Sequence, residues 1–300
     1  SKTVIHGKNY STDEDVLYRM RAEGWNVPTF AMTALPASSG AGHMNVAGAY
    51  LSELFAGVDP SEPHDRPRFE ALLGDGAPWG LDLSYATQDA PRGIADAFRI
   101  GADFIGDAPV MLILGDNLFY GDGLRQRLQH AASTVQGGTI FGYPVRDPER
   151  YGVVDFDADG TVTDIIEKPD VPPSNIAVTG LYLYTADVVE IAAGLAPSDR
   201  GELEITDVNR AYLERGTLTV ERFGRGMAWL DTGTPDALWE ATNYIATIER
   251  RQGLKVACLE EIAYRNDWID AEAVANRAET CGNSPYGTYL RRLLEDGATK

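Results

Sequence analysis

An unbroken apolar run, Val110-Met111-Leu112-Ile113-Leu114, leads straight into Gly115-Asp116-Asn117. A run of that kind has the pattern of a parallel strand buried on both faces. Such a strand needs helices on both sides of its sheet, which commits the chain to an α/β architecture. An Asp at its carboxyl end lies where open α/β sheets bind ligands. A second acidic segment, Trp229-Leu230-Asp231-Thr232-Gly233-Thr234, matches it later in the chain. Two carboxylates converging there suit one Mg2+, a hard cation that takes oxygen ligands and shares them with substrate phosphates.

The remaining pattern fits that class. Residues 1–65 read as a strand at Thr3-Val4-Ile5, then a helix capped by Ser11 with Glu14 three residues on. An extended run at 27–32, a small-residue loop at 38–42 and a short helix to Phe55 follow. A Pro- and Asp-rich connector covers 56–68. Beyond it, strands are expected over 82–88, 110–114, 139–143, 153–156, 162–167, 178–184 and 218–223. Helices are expected over 69–73, 93–106, 124–134 and from 204–207 to 215. Asp159-Gly160 marks a hairpin turn, so the sheet is expected to be mixed, mostly parallel and flanked by helices. From about residue 240 the chain reads as helical, and residues 1–300 are expected to form one domain.

Charge and cysteine content exclude several function classes. A net charge of −19 argues against nucleic acid and anionic membrane surfaces, both of which need a basic face. It does not exclude a nucleotide, whose pocket needs only a few placed cations. Cys258 and Cys281 make neither a disulfide framework nor a metal-ligand spacing, as expected for reduced thiols in the cytoplasm. No signal peptide, membrane-length apolar run or lipidation motif is evident, so a soluble cytoplasmic protein is expected.

Other residues have chemistry suited to a phosphorylated ligand. At Glu167-Lys168-Pro169 the carboxylate can accept two sugar hydroxyls while the ammonium meets a phosphate; an exposed ion pair is the plainer alternative. Gly152, after Tyr151, lets a ligand approach backbone, or simply makes a turn. Arg200 precedes Glu204-Ile205-Thr206-Asp207 and can clamp phosphate with its fork of donors, or lie on the surface. The Gln88 amide can read a pyrimidine edge with one donor and one acceptor, with Gly93 opening the next helix. The loop at 38–42 fits neither the P-loop nor Gly-x-Gly-x-x-Gly and reads as a plain connector.

Taken in order, six segments resemble the sugar-1-phosphate nucleotidylyltransferases: 115–121, 147–154, 167–169, 177–182, 200–207 and 229–234. The likeness runs from about His64 to the C-terminus and is greatest to the members that join dTTP to glucose 1-phosphate. It implies a Rossmann-like nucleotidyltransferase fold. It implies attack of glucose 1-phosphate on the α-phosphorus of dTTP, with no covalent enzyme intermediate. By position, Asp116 and Asp231 would hold Mg2+, and Gln88 and Gly93 the thymine. Tyr151, Gly152, Glu167 and Val178 would line the sugar pocket, and Lys168 and Arg200 would hold the sugar phosphate. The family is commonly a homotetramer with an allosteric nucleotide-sugar site at a subunit interface.

Residues 1–65 depart from this pattern. The family's Leu-x-Gly-Gly-x-Gly-Thr-Arg-Leu loop and Lys-x-Leu-Leu-Pro segment are not found there, and no Lys or Arg lies between Glu23 and Asp65. A non-catalytic relative that binds sugar nucleotide as a regulatory or assembly subunit is the alternative expectation. Arg92 stands where the family often has an acidic residue, and is expected to tune base contacts or supply a cation.

Overall fold

The computed structural model describes residues 2–7, 29–34, 66–88, 90 and 92–297. The expected helix at Ser11, the loop at 38–42 and the helix to Phe55 lie outside these residues.

Among the described residues, nine strands form the main sheet. Its spine is β4 (Val110–Leu114) beside β9 (Ile176–Tyr184), and every residue of β9 is buried. Side chains alternate across a strand, and here both faces are covered. Val110, Leu112, Tyr182 and Tyr184 join one core with Phe98, Ile140 and Tyr212. Met111, Ile113, Leu181 and Leu183 join the other with Leu128, Phe141 and Phe223. Helices 96–100, 188–194 and 205–214 cover the first face, and helix 124–134 the second.

From this spine the sheet extends both ways. One side carries β6 (Gly138–Pro144) and β10 (Leu218–Arg222); the other carries β2 (Thr29–Ala34), β1 (Lys2–Gly7) and β3 (Asp82–Tyr85). The hairpin of β7 (Gly152–Phe156) and β8 (Val162–Glu167) attaches to β9 through Val153 and Ala177. Gly160, with φ 82°, supplies the left-handed residue of its turn, as Asp159-Gly160 suggested. Helices 259–265, 271–280 and 285–297 build a separate small core around Val274, Ala278, Leu290 and Leu293. Among the described residues no helix is long and apolar enough to cross a membrane.

The sheet is mixed as expected, but mostly antiparallel rather than mostly parallel, and the expected parallel setting of 110–114 is corrected. β4 pairs antiparallel with both neighbours, and the parallel ladders are β1·β3 and β6·β10. An apolar run reports burial on both faces, not the direction of its neighbours. The strand expected to reach Gln88 ends at Tyr85. The helix expected over 93–106 is two, Asp96–Ile100 and Ala102–Ile105, interrupted at Gly101, where lost backbone freedom and a missing side chain weaken a helix. Two short strands were unforeseen: β5 (Asn117–Gly121) and β11 (Met227–Asp231) pair antiparallel as a ribbon of their own.

Candidate active site

That ribbon brings the two acidic segments together. Asp231 is the ladder partner of Asn117, one step from Asp116. The Thr232 amide and hydroxyl both donate to the Asp116 carbonyl, at 2.7 and 2.9 Å, locking the segments side by side.

Asn117 is the centre of the arrangement. Its Nδ2 donates to Asp116 Oδ1 at 2.8 Å, fixing that carboxylate. Its Oδ1 accepts from the Gly180 amide at 2.9 Å and the Trp229 indole at 2.6 Å. Gly180 sits inside a strand, where glycine often marks a close approach. A Cβ there would lie 2.6 Å from Asn117 and 2.8 Å from the Leu114 side chain. Gly180→Ala is therefore expected to cost about 1–3 kcal/mol by overpacking, seen as a lower midpoint in thermal or denaturant unfolding.

The opposite wall comes from the β7–β8 hairpin. Gly152 and Glu167 are ladder partners, and Glu167 Oε2 accepts from the Thr206 hydroxyl at 2.7 Å. Lys168 follows with φ 44°, a left-handed conformation that L side chains rarely adopt. Its amide donates to the Tyr151 carbonyl at 3.0 Å, which supports this turn at the end of the strand. Arg200 grips Glu204 with two nitrogens, at 2.8 and 3.2 Å, and lies 3.6 Å from Glu167. Gly152, Glu167, Lys168, Arg200, Glu204 and the acid pair face one cavity of about 530 Å3. A second cavity of about 900 Å3 adjoins it across Arg150, Tyr151, Trp229 and Asp231.

Burial dominates the electrostatics. It raises the Asp231 carboxyl above its ordinary range; the Gly233 amide, Arg150 and Lys168 pull it back, and Asp147 adds to the rise. Burial also pushes the Tyr151 hydroxyl up to about 12, with Asp231 adding to it. Tyr151 stacks at a tilt on Trp229, centroids 5.1 Å apart, which fixes the aromatic floor between the cavities.

The cavity gathers Asp116, Tyr151, Gly152, Glu167, Lys168, Val178, Arg200 and Asp231. Gln88 and Gly93 are not among its lining residues. Gln88 is fully buried, and its Nε2 donates to the Gly93 carbonyl, next to the cavity residue Ile94. Gly93, with φ 96°, packs so closely on Leu203 that a Cβ would lie 2.4 Å from its carbonyl oxygen. Arg92 pairs with Asp96. Sequence reasoning did not single out Asn117, Arg150, Gly180, Thr206 or Trp229, although the interior glycine of β9 was a usable signal.

Among the described residues no cluster of three or more His, Cys, Asp or Glu could hold a metal ion. Two carboxylates fit the cation that keeps waters and takes its remaining oxygens from a substrate phosphate, so Asp116 and Asp231 suit Mg2+ rather than an all-protein cage.

Comparison with known proteins adds the family. The nucleotidyl transferase family model matches residues 52–248, which include every candidate site residue. A glucose-1-phosphate thymidylyltransferase from Xanthomonas campestris pv. campestris (strain B100) is 54% identical over 79% of this chain and 80% of its own length. The enzyme of that name from Mycobacterium tuberculosis (strain ATCC 25618 / H37Rv) is 55% identical over 78% and 81%. A crystal structure from Bacillus anthracis, described as a candidate glucose-1-phosphate thymidylyltransferase in complex with a sucrose, superposes with TM-score 0.56 at 35% identity. It covers 65% of this chain and 79% of that one.

Proposed function

Because the chain belongs to the nucleotidyl transferase family, we propose that it transfers a thymidylyl group from dTTP to glucose 1-phosphate, giving dTDP-glucose and pyrophosphate. The observation that carries this reading is one cavity holding both the acid pair and the Glu167, Lys168 and Arg200 cluster. A phosphate oxygen of glucose 1-phosphate bonds to the α-phosphorus. The bridge to the β-phosphorus breaks, and pyrophosphate leaves with the bonding pair. Positioning and charge neutralisation supply the catalysis.

Asp116 and Asp231 would hold Mg2+, which would supply charge neutralisation at the phosphate oxygens. Glu167, oriented by Thr206, accepts sugar hydroxyls, and Gly152 lets the sugar reach backbone between Tyr151 and Val178. Lys168 and Arg200 take the sugar phosphate, Arg200 exchanging one carboxylate contact for it. Gln88 and Gly93 form the base side. We place the protein in the cytoplasm, as a single domain that assembles into a homo-oligomer.

The test is to incubate the protein with Mg2+, dTTP and glucose 1-phosphate and identify dTDP-glucose by mass. Lys168→Ala is expected to raise KM for glucose 1-phosphate about 10–100-fold, the value of a charge-assisted phosphate contact, with a smaller change in KM for dTTP. Equal changes in both would remove Lys168 from the sugar-phosphate site.

A further inference from the structure

Asp96 is 2% exposed and lies at the start of helix 96–100. Its Oδ2 accepts from Gln88 Nε2 and from Arg92 Nε, each at 2.9 Å, and its Oδ1 lies 3.5 Å from Arg99. The carboxylate is acceptor-only while it serves these donors. The other Gln88 contact, the Gly93 carbonyl at 3.2 Å, is also an acceptor. Both therefore require the nitrogen end of the Gln88 amide. A reversed amide would set its oxygen against two acceptors, one of them charged.

The carbonyl end is thereby committed. Gln88 Oε1 is buried and has no hydrogen-bond partner among the described residues. Buried polar atoms are nearly always satisfied, so an orphaned acceptor points to a ligand donor. The imide N–H of thymine or uracil is such a donor. Cytosine has a lone pair at the same ring position, and an acceptor facing it is repelled.

We propose that Asp96, held by Arg92 and Arg99, is a positioning residue: it locks the Gln88 amide with its acceptor toward the nucleobase and selects imide bases over cytosine. The proposal rests on the reading above, in which Gln88 faces the base. It also gives Arg92 a use that requires no contact with the ligand. Within this contact thymine and uracil are equivalent, so choice between them comes from elsewhere.

The test is calorimetric titration of the full chain with dTTP and with dCTP in the presence of Mg2+. Wild type is expected to prefer dTTP at least about ten-fold, since a mispaired buried polar contact discriminates strongly. Asp96→Leu removes the oxygen that accepts from both Arg92 and Gln88, so only the Gly93 carbonyl still holds the nitrogen end of Gln88, and the preference should narrow by about ten-fold. With Gln88→Met already in place, Asp96→Leu should leave the ratio unchanged, because the two act as a unit. Equal weakening of both nucleotides by Asp96→Leu, or a ratio that responds to it without Gln88, overturns the proposal. The expected Asp96→Leu response in a protein that forms no dTDP-glucose supports the positioning role and removes the transferase reading. Turnover with an unmoved ratio does the reverse.

Discussion

Asp231→Asn is expected to lower turnover about 10³-fold, the scale seen when a charged group acting on a transferring phosphoryl is removed. The same change should make the ligand-free protein more stable. Burial raises the Asp231 carboxyl, so the folded state holds its proton more tightly than the unfolded chain does. For such a group the charge penalty is absent below the ordinary carboxylate range. It grows as pH rises through the raised folded value and is complete above it. At neutral pH the folded protein therefore carries a partly buried charge at a cost, and Asn removes it, raising the thermal midpoint by about 2 °C. Mg2+ should stabilise wild type at neutral pH, lose that effect as the pH falls into the carboxylate range, and do little for Asp231→Asn. Calorimetric midpoints with and without Mg2+ across that range check this. A variant that is less stable at neutral pH would show that Asp231 holds the fold rather than the cation.

Asn117→Ala is expected to be the most damaging single change to the site's frame. Three contacts vanish together: to Asp116 Oδ1, the Gly180 amide and the Trp229 indole. The indole and the amide are left as buried donors without partners, each costing about 1–3 kcal/mol, so a loss of roughly 3–5 kcal/mol follows. Turnover should fall about 10²-fold in the fraction that remains folded, because Asp116 loses its orientation. Denaturant unfolding and activity corrected for folded protein separate the two effects. A loss below about 1 kcal/mol would mean that water replaces the side chain and that the hub is not structural.

The sequence made the chemistry of the site more legible than its frame. Asp116, Glu167, Lys168, Arg200 and Asp231 are local signals: an ionisable residue at the end of a strand or the entrance to a helix. Asn117, Gly180 and Trp229 gain their meaning only from one another, across separations of 63 and 112 residues. No periodicity encodes such a pairing. β5 and β11 escaped notice for the same reason, since a five-residue strand is visible mainly through its distant partner. The direction of β4's neighbours was hidden because its apolar run records coverage by two cores, which parallel and antiparallel sheets both provide. Gln88 was identified as an amide able to read a base, but one residue type could not say which end it presents. Asp96, eight residues on, decides that.

The central claim is that this cavity joins a nucleotide to a sugar phosphate. Its most direct test is pyrophosphate release by the purified chain with Mg2+, dTTP and glucose 1-phosphate. The account predicts release that requires glucose 1-phosphate, matches dTDP-glucose one for one, and drops about 10³-fold in Asp116→Asn. Tight binding of dTDP-glucose with no pyrophosphate released, or release indifferent to Asp116→Asn, would contradict it.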